Sequence, residues 1–157
     1  MKNRIILSKY RFEKAKEDLL SAKINLDNGL IKASINRSYY AIYHSIRSVN
    51  ALDGFDSKKH SGVIAYFNQH YIHTGKFKKG IYSIISTAYR IREKSDYDDF
   101  YVASIEDAKE QLKNAKYFIQ LTEEFLNIIY KQRWLSGWGL KKKRGIAVAI
   151  PRLVFKA

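Results

Sequence analysis

Arg37 and His44 are the two side chains in this 157-residue sequence whose types and spacing could do chemistry together. They lie in the run Asn36-Arg37-Ser38-Tyr39-Tyr40-Ala41-Ile42-Tyr43-His44. On a helix, seven steps of about 100° leave them roughly 20° from eclipsed, on one face and two turns apart. A guanidinium is a permanent, forked phosphate ligand, and an imidazole is the side chain best suited to moving a proton near neutral pH. The pair points to phosphodiester chemistry. Asn36 and Arg47 flank it with further polar groups, and Tyr40, roughly 60° from Arg37, is placed to stack on a splayed base or to hydrogen-bond a phosphate. A structural alternative is an Arg37 paired with an acid of a neighbouring helix and a His44 whose ring nitrogens meet backbone or tyrosine partners.

The elements that must position this run can be read from apolar spacing. Ser8 can cap a first helix, whose Phe12, Ala15, Leu19, Ala22 and Leu26 form an amphipathic stripe that ends at Asn28-Gly29. The second helix, Leu30 to about Leu52, is apolar or aromatic on most of its circumference, as expected of a central helix packed on several sides. Its polar members must then reach partners or line a cleft. Asp53-Gly54 closes it. A third helix is predicted from about Lys59 to Tyr71 or His73, stopped by Thr74-Gly75, and a fourth from about Phe77 to Lys94. The acidic segment Ser95-Asp96-Tyr97-Asp98-Asp99-Phe100 reads as a loop. Ser104-Ile105-Glu106-Asp107 resembles a capping box and opens a long last helix. Short connections and no credible strand pairs give an all-α, antiparallel bundle of about five helices. The expected division is a helical domain over 8–133 and a basic tail over 134–157 that takes no assignment.

Composition bounds the partners. No cysteine is present, so disulfides and thiolate chemistry are excluded. No stretch reaches the roughly 18 apolar residues of a spanning helix, and the first residues lack the apolar core of a secretory signal, so a cytoplasmic location is expected. Of the formal charge of +14, six Lys or Arg lie from Trp134 onward with no acids. Residues 1–133 still carry 23 basic against 15 acidic residues, or +8, and such an excess favours polyanions.

Other polar clusters rank lower. His70 and His73 share a face at a spacing that can ligate zinc, but no third ligand is evident, and neither metal nor cofactor is expected. His60, at a helix start, reads as a capping or surface residue. Arg90, Arg92 and Lys94 complement the dipole of the fourth helix as a solvated end, or else form a phosphate-contacting rim beside Tyr97. Asp96 could hold either Arg37 or Arg92 in a bidentate pair.

The run at 36–44 resembles the arginine-x(4–6)-histidine motif of the HEPN domain superfamily, in the branch that reads Arg-x-Tyr-Tyr-Ala-x-x-His. The similarity continues through His60-Ser61-Gly62-Val63-Ile64-Ala65-Tyr66-Phe67 and through Arg92-Glu93-Lys94-Ser95-Asp96-Tyr97, over about residues 8–130. The resemblance implies a helical bundle that dimerises with the two copies of its second helix facing across a cleft. It also implies a metal-independent, toxin-like ribonuclease acting on single-stranded RNA, with a small nucleotidyltransferase as its neutralising partner. Arg37 and His44 would be the catalytic pair, with Asn36, Tyr40, Arg47, Arg92, Asp96 and Tyr97 as substrate-binding residues. Ile46 stands where some of these toxins carry a tyrosine that the antitoxin modifies, so control by that modification is not expected. Two rival readings are a non-catalytic module that pairs with a nucleotidyltransferase or holds a nucleotide, and a purely structural helical dimer.

Overall fold

The computed structural model describes residues 2–137, and these form five α-helices: α1 (Lys2–Asp27), α2 (Ile31–Asn50), α3 (His60–Phe67), α4 (Ile81–Tyr97) and α5 (Ile105–Gly137). No strand occurs among the described residues, and the expected all-α bundle is what the chain forms. The basic tail expected from Trp134 lies outside the described residues beyond Gly137.

The second helix takes the central position that its apolar circumference requires. It packs against α1, α3, α4 and α5, and Ile35, Ala41, Ile42, Ile46 and Val49 are all at most 1% exposed. Phe67 of α3, Phe118 and Phe125 of α5, and Phe77 from the segment before α4 complete the core. Two predicted helix ends are set by chain conformation: Gly29 and Gly75 follow α1 and the third helical segment at φ +75° and +77°, in the left-handed region where glycine meets no Cβ penalty. At α5 the Ser104 hydroxyl accepts from the Asp107 N–H at 2.9 Å, and the Ser104 N–H points back to the Asp107 carboxylate at 3.4 Å, so the capping box is built as expected.

The limits of two helices differ from the sequence expectation, and a third differs in kind. Ser8 does not cap α1, which begins six residues earlier. It is fully buried inside the helix, donating to the Ser48 carbonyl of α2 at 2.7 Å and meeting the Tyr130 hydroxyl of α5 at 2.8 Å. The third helical run keeps its expected span, and only its hydrogen-bond pattern differs: α3 continues into a π-helical turn at Asn68–Ile72. The fourth helix starts at Ile81 and runs on through Ser95, Asp96 and Tyr97, which the sequence suggested were loop. An ion pair between Arg92 Nε and Asp96 at 2.7 Å, spaced i to i+4, ties that extra turn together, and Ser95 is buried.

Candidate functional site

The buried line of α1 is not wholly apolar. Ser8, Arg11, Ala15, Asp18 and Ala22 step by three and four along it and are each at most 7% exposed. An acid on such a line has to find cationic partners or hydrogen-bond donors across the interface. Asp18 finds both residues of the candidate pair on α2. Its Oδ1 accepts from Arg37 Nη1 at 3.1 Å, and its Oδ2 lies 2.7 Å from His44 Nδ1. Two side chains separated by two turns, about 10 Å along an axis, are thus joined by one carboxylate.

This geometry fixes the imidazole. A carboxylate only accepts, so Nδ1 of His44 carries a proton, and in the neutral ring the lone pair is on Nε2. No hydrogen bond among the described residues engages Nε2. His44 is 8% exposed and lines a cleft of about 500 Å³ together with Tyr40, Tyr43, Arg47, Lys58 and His60. The Arg37 side chain keeps 41% of its surface open. Besides Asp18 it donates from Nη2 to Asn36 Oδ1 at 2.9 Å, and its guanidinium lies 5.0 Å from the centre of the Tyr40 ring. With five donors in its fork, it retains capacity for a further acceptor. The structural alternative is therefore realised for Arg37, which pairs with an acid of the neighbouring helix, but not for His44, whose Nδ1 meets that same acid instead of a backbone or tyrosine partner. It is not the whole account, since Arg37 is not enclosed.

The sequence-derived candidates do not share one cleft: Arg37 and His44 line different ones, and Arg92 and Tyr97 are in the lining of neither. Tyr40 and Arg47 join His44 in the first. Asn36, Arg37 and Asp96 line a second, of about 660 Å³, near the start of α2. Asp96 pairs directly with Arg92 and reaches Arg37 only through Asn36, whose Nδ2 donates to the Asp96 carboxylate at 3.1 and 3.3 Å. That answers which arginine Asp96 holds. Arg92 is not a solvated helix end: its side chain is 12% exposed and its guanidinium lies over the rings of Tyr39, Tyr40 and Tyr97 at 5.4–5.8 Å. Burial opposes the Arg92 charge, but Asp96, then Tyr40 and Tyr97, and the hydrogen bond to Glu93 together outweigh it and raise its pKa. Tyr97 itself is 71% exposed. Arg47 donates from Nη2 to both oxygens of Asp56, at 2.8 and 3.1 Å, and Arg11 of α1 binds the same carboxylate. Against the desolvation that would raise it, the hydrogen bonds from Arg47, the Ser57 N–H and Arg11 hold Asp56 below the usual carboxylate range.

Sequence reasoning missed Asp18 and misread His60. For Asp18 the signal was present, as an acid three residues after Ala15 and four before Ala22 on an apolar stripe. His60 opens α3, but its ring turns inward, with Nδ1 2.7 Å from the Tyr39 hydroxyl and its face stacked on Tyr43 at 4.2 Å. It is not a cap or a plain surface residue. Among the described residues, no group of three or more His, Cys, Asp or Glu gathers as metal ligands, and no helix is long and apolar enough to cross a membrane. His70 stacks on Tyr66 at 4.1 Å.

A central helix carrying an arginine and a histidine on one face, within a five-helix bundle, is matched from outside the chain by a family model: the HEPN domain aligns with residues 8–125. The chain belongs to the HEPN domain family. Among its HEPN-type relatives, a Thermotoga maritima protein named "UPF0332 protein" is 30% identical over 117 residues, covering 74% of this chain and 89% of its own length. A Methanocaldococcus jannaschii protein named "Putative toxin MJ0605" is 36% identical over 85 residues, 54% of this chain and 63% of its own. A second protein of that organism, named "Putative toxin MJ0142", is 27% identical over 114 residues, 73% of this chain and 78% of its own. The HEPN match spans α2 whole, and with it every candidate residue from Asn36 to Tyr97.

Proposed function

We propose that this HEPN protein is a metal-independent endoribonuclease, toxin-like in role, that cleaves single-stranded RNA. The observation that carries the reading is the single Asp18 carboxylate that holds Arg37 and the Nδ1–H edge of His44 at once. An imidazole oriented by a carboxylate, with Nε2 free, is a general base in working order. The basic charge of residues 1–133 and the names of two relatives support the same reading.

In this reaction the RNA supplies its own nucleophile. His44 Nε2 takes the proton of the 2′-hydroxyl, the 2′-oxygen bonds to phosphorus, and the bond to the 5′-oxygen breaks. The leaving oxygen needs a proton. A second copy of the chain, packed α2 against α2, brings a second His44 to the opposite side of the phosphate as the acid. Arg37 neutralises charge on the non-bridging oxygens as the phosphorane forms. Products are a 2′,3′-cyclic phosphate and a 5′-hydroxyl. A small nucleotidyltransferase is the partner expected to restrain the activity, and with Ile46 after His44 it would do so without a tyrosine at that position to modify.

Purified protein incubated with end-labelled single-stranded RNA in EDTA is expected to yield 2′,3′-cyclic phosphate ends. His44→Ala and Arg37→Ala should each lower the rate by about 10²–10⁴ with the helical signal unchanged. Intact RNA across varied substrates would remove the nuclease reading. The burial of His44 favours the rival in that event, a binding module that holds RNA or a nucleotidyltransferase through Arg37 without cleaving. It would show as retained RNA affinity or a stable complex.

A further inference from the structure

The His44 cleft has a second imidazole on its wall, and its surroundings fix its chemical form. His60 lines the cleft at the start of α3. Its Nδ1 meets the hydroxyl of Tyr39, a residue 2% exposed in the core, at 2.7 Å. That contact can run in either direction. If Nδ1–H donated, the Tyr39 hydroxyl hydrogen would be left buried with no acceptor among the described residues, at the cost of an unsatisfied polar group. With Tyr39 donating, both groups are satisfied, and burial keeps the Tyr39 hydroxyl protonated by raising its pKa. Nδ1 of His60 is then an acceptor, and the ring proton sits on Nε2. A half-turn of the ring would keep its stacking on Tyr43 at 4.2 Å but would put Cδ2 where Nδ1 meets Tyr39, so the Tyr39 hydrogen bond sets which nitrogen is left for the cleft.

We infer that His60 is a phosphate-binding residue of the RNA cleft, held neutral and in one tautomer by Tyr39 so that Nε2–H donates to a non-bridging oxygen of the bound strand. The inference rests on the RNA reading of the His44 cleft. Arg47 and Lys58 line the same cleft and supply the positive field, while His60 supplies direction. The groups facing it keep it uncharged. Burial comes first, then Arg92 on α4 and Arg47 and His44 on α2, all lowering its pKa, with Glu93 of α4 alone opposing them. Asp56 on the cleft wall is already taken by Arg11, Arg47 and the Ser57 N–H. A neutral donor adds a hydrogen bond to phosphate without adding a fourth charge beside those arginines. Tyr39 acts through His60 and is a positioning residue.

The test uses the full chain and a single-stranded 2′-O-methyl oligonucleotide, which presents the same phosphates but cannot be cleaved. Side-chain nitrogen NMR near neutral pH should show His60 uncharged and protonated on Nε2, and Tyr39→Phe should release the ring to titrate at higher pH than in the parent. His60→Ala is expected to weaken oligonucleotide binding about tenfold, and His60→Gln, whose amide offers a donor near the Nε2 position, to stay within about threefold of the parent. A His60 protonated on Nδ1, or a His60→Ala variant that is folded and binds as the parent does, would overturn the proposal. Parent protein that leaves ordinary RNA intact while the tautomer and the binding losses hold would remove only the cleavage reading. The phosphate assignment of His60 would then stand.

Discussion

Two carboxylates clamp the same helix pair, and they do different things. Asp18 joins Arg37 and His44 from α1, and Asp56, in the turn after α2, joins Arg47 of α2 to Arg11 of α1. Each binds two basic side chains. The difference lies in the partners and in solvent access. The Asp56 side chain is 45% exposed and holds two guanidiniums, which are charged at any physiological pH. The Asp18 side chain is 9% exposed and holds one guanidinium and one imidazole. The Asp56 clamp ties two permanent charges, one of them Arg47 on the cleft wall, whereas the Asp18 clamp includes an imidazole, the side-chain type suited to passing a proton near neutral pH. Similar wiring thus yields a tie between two guanidiniums at one end of α2 and an oriented imidazole at the middle, the group to which the proposed function gives the proton transfer.

The largest effect expected to separate them is on cleavage. Asn at position 18 can turn its amide toward the ring and donate to Nδ1 of His44, which moves the ring proton to Nε2 and removes the base. Asp18→Asn should lower RNA cleavage by about 10³, while Asp56→Asn should leave kcat within about threefold. Initial rates on labelled RNA decide this. Equal losses in the two variants would show that the clamps are not functionally distinct.

Stability should separate them next. Removing Asp18 leaves a half-buried arginine and a buried histidine without their shared partner, so Asp18→Ala is expected to cost about 2 kcal/mol or more. Asp56→Ala takes away a largely solvated partner and is expected to cost about 1 kcal/mol or less. Urea unfolding followed by circular dichroism measures both. An Asp56→Ala loss as large as that of Asp18→Ala would mean that solvent screens the exposed clamp less than its surroundings suggest.

The contrast between the clamps also marks what was legible in the sequence. The helices were, because apolar spacing of three and four depends only on local order: α1, α2 and α5 follow their stripes, and Gly29 and Gly75 stop the chain where glycine alone is unstrained. Arg37 and His44 were legible as a pair because seven residues on a helix fix their relative direction. What α1 contributes was legible only in part: the stripe marks Asp18 as an acid that needs partners, but its contacts cross 19 and 26 residues of sequence and no local pattern names them. The end of α4 was misjudged for a related reason. Three acids near Tyr97 look like a loop until Arg92 is seen to bind one of them within the same helix. Ser8 looked like a cap because serine favours caps, whereas its partners are on α2 and α5. His60 needed its ring orientation, which follows from Tyr39 and Tyr43 and not from its place in α3.

The smallest expected difference is in the response to acid, and its sign follows from Asp56. Its hydrogen bonds from Arg47, the Ser57 N–H and Arg11 hold its folded pKa below the unfolded value, even against the opposing effect of burial. A group shifted in that direction stabilises the fold fully above the unfolded carboxylate value of about 3.9, and the contribution fades as pH falls through the folded value. The parent should therefore lose stability below about pH 4 more steeply than Asp56→Asn, which has no carboxyl to protonate there. With the side chain nearly half exposed, the gap should stay under about 1 kcal/mol, read as the difference in urea midpoints across an acid series. Parallel curves for the two proteins would show that protonating Asp56 leaves the Arg11–Arg47 tie intact. The exposed clamp would then hold through its hydrogen bonds, and charge would matter to α2 only where Asp18 meets His44.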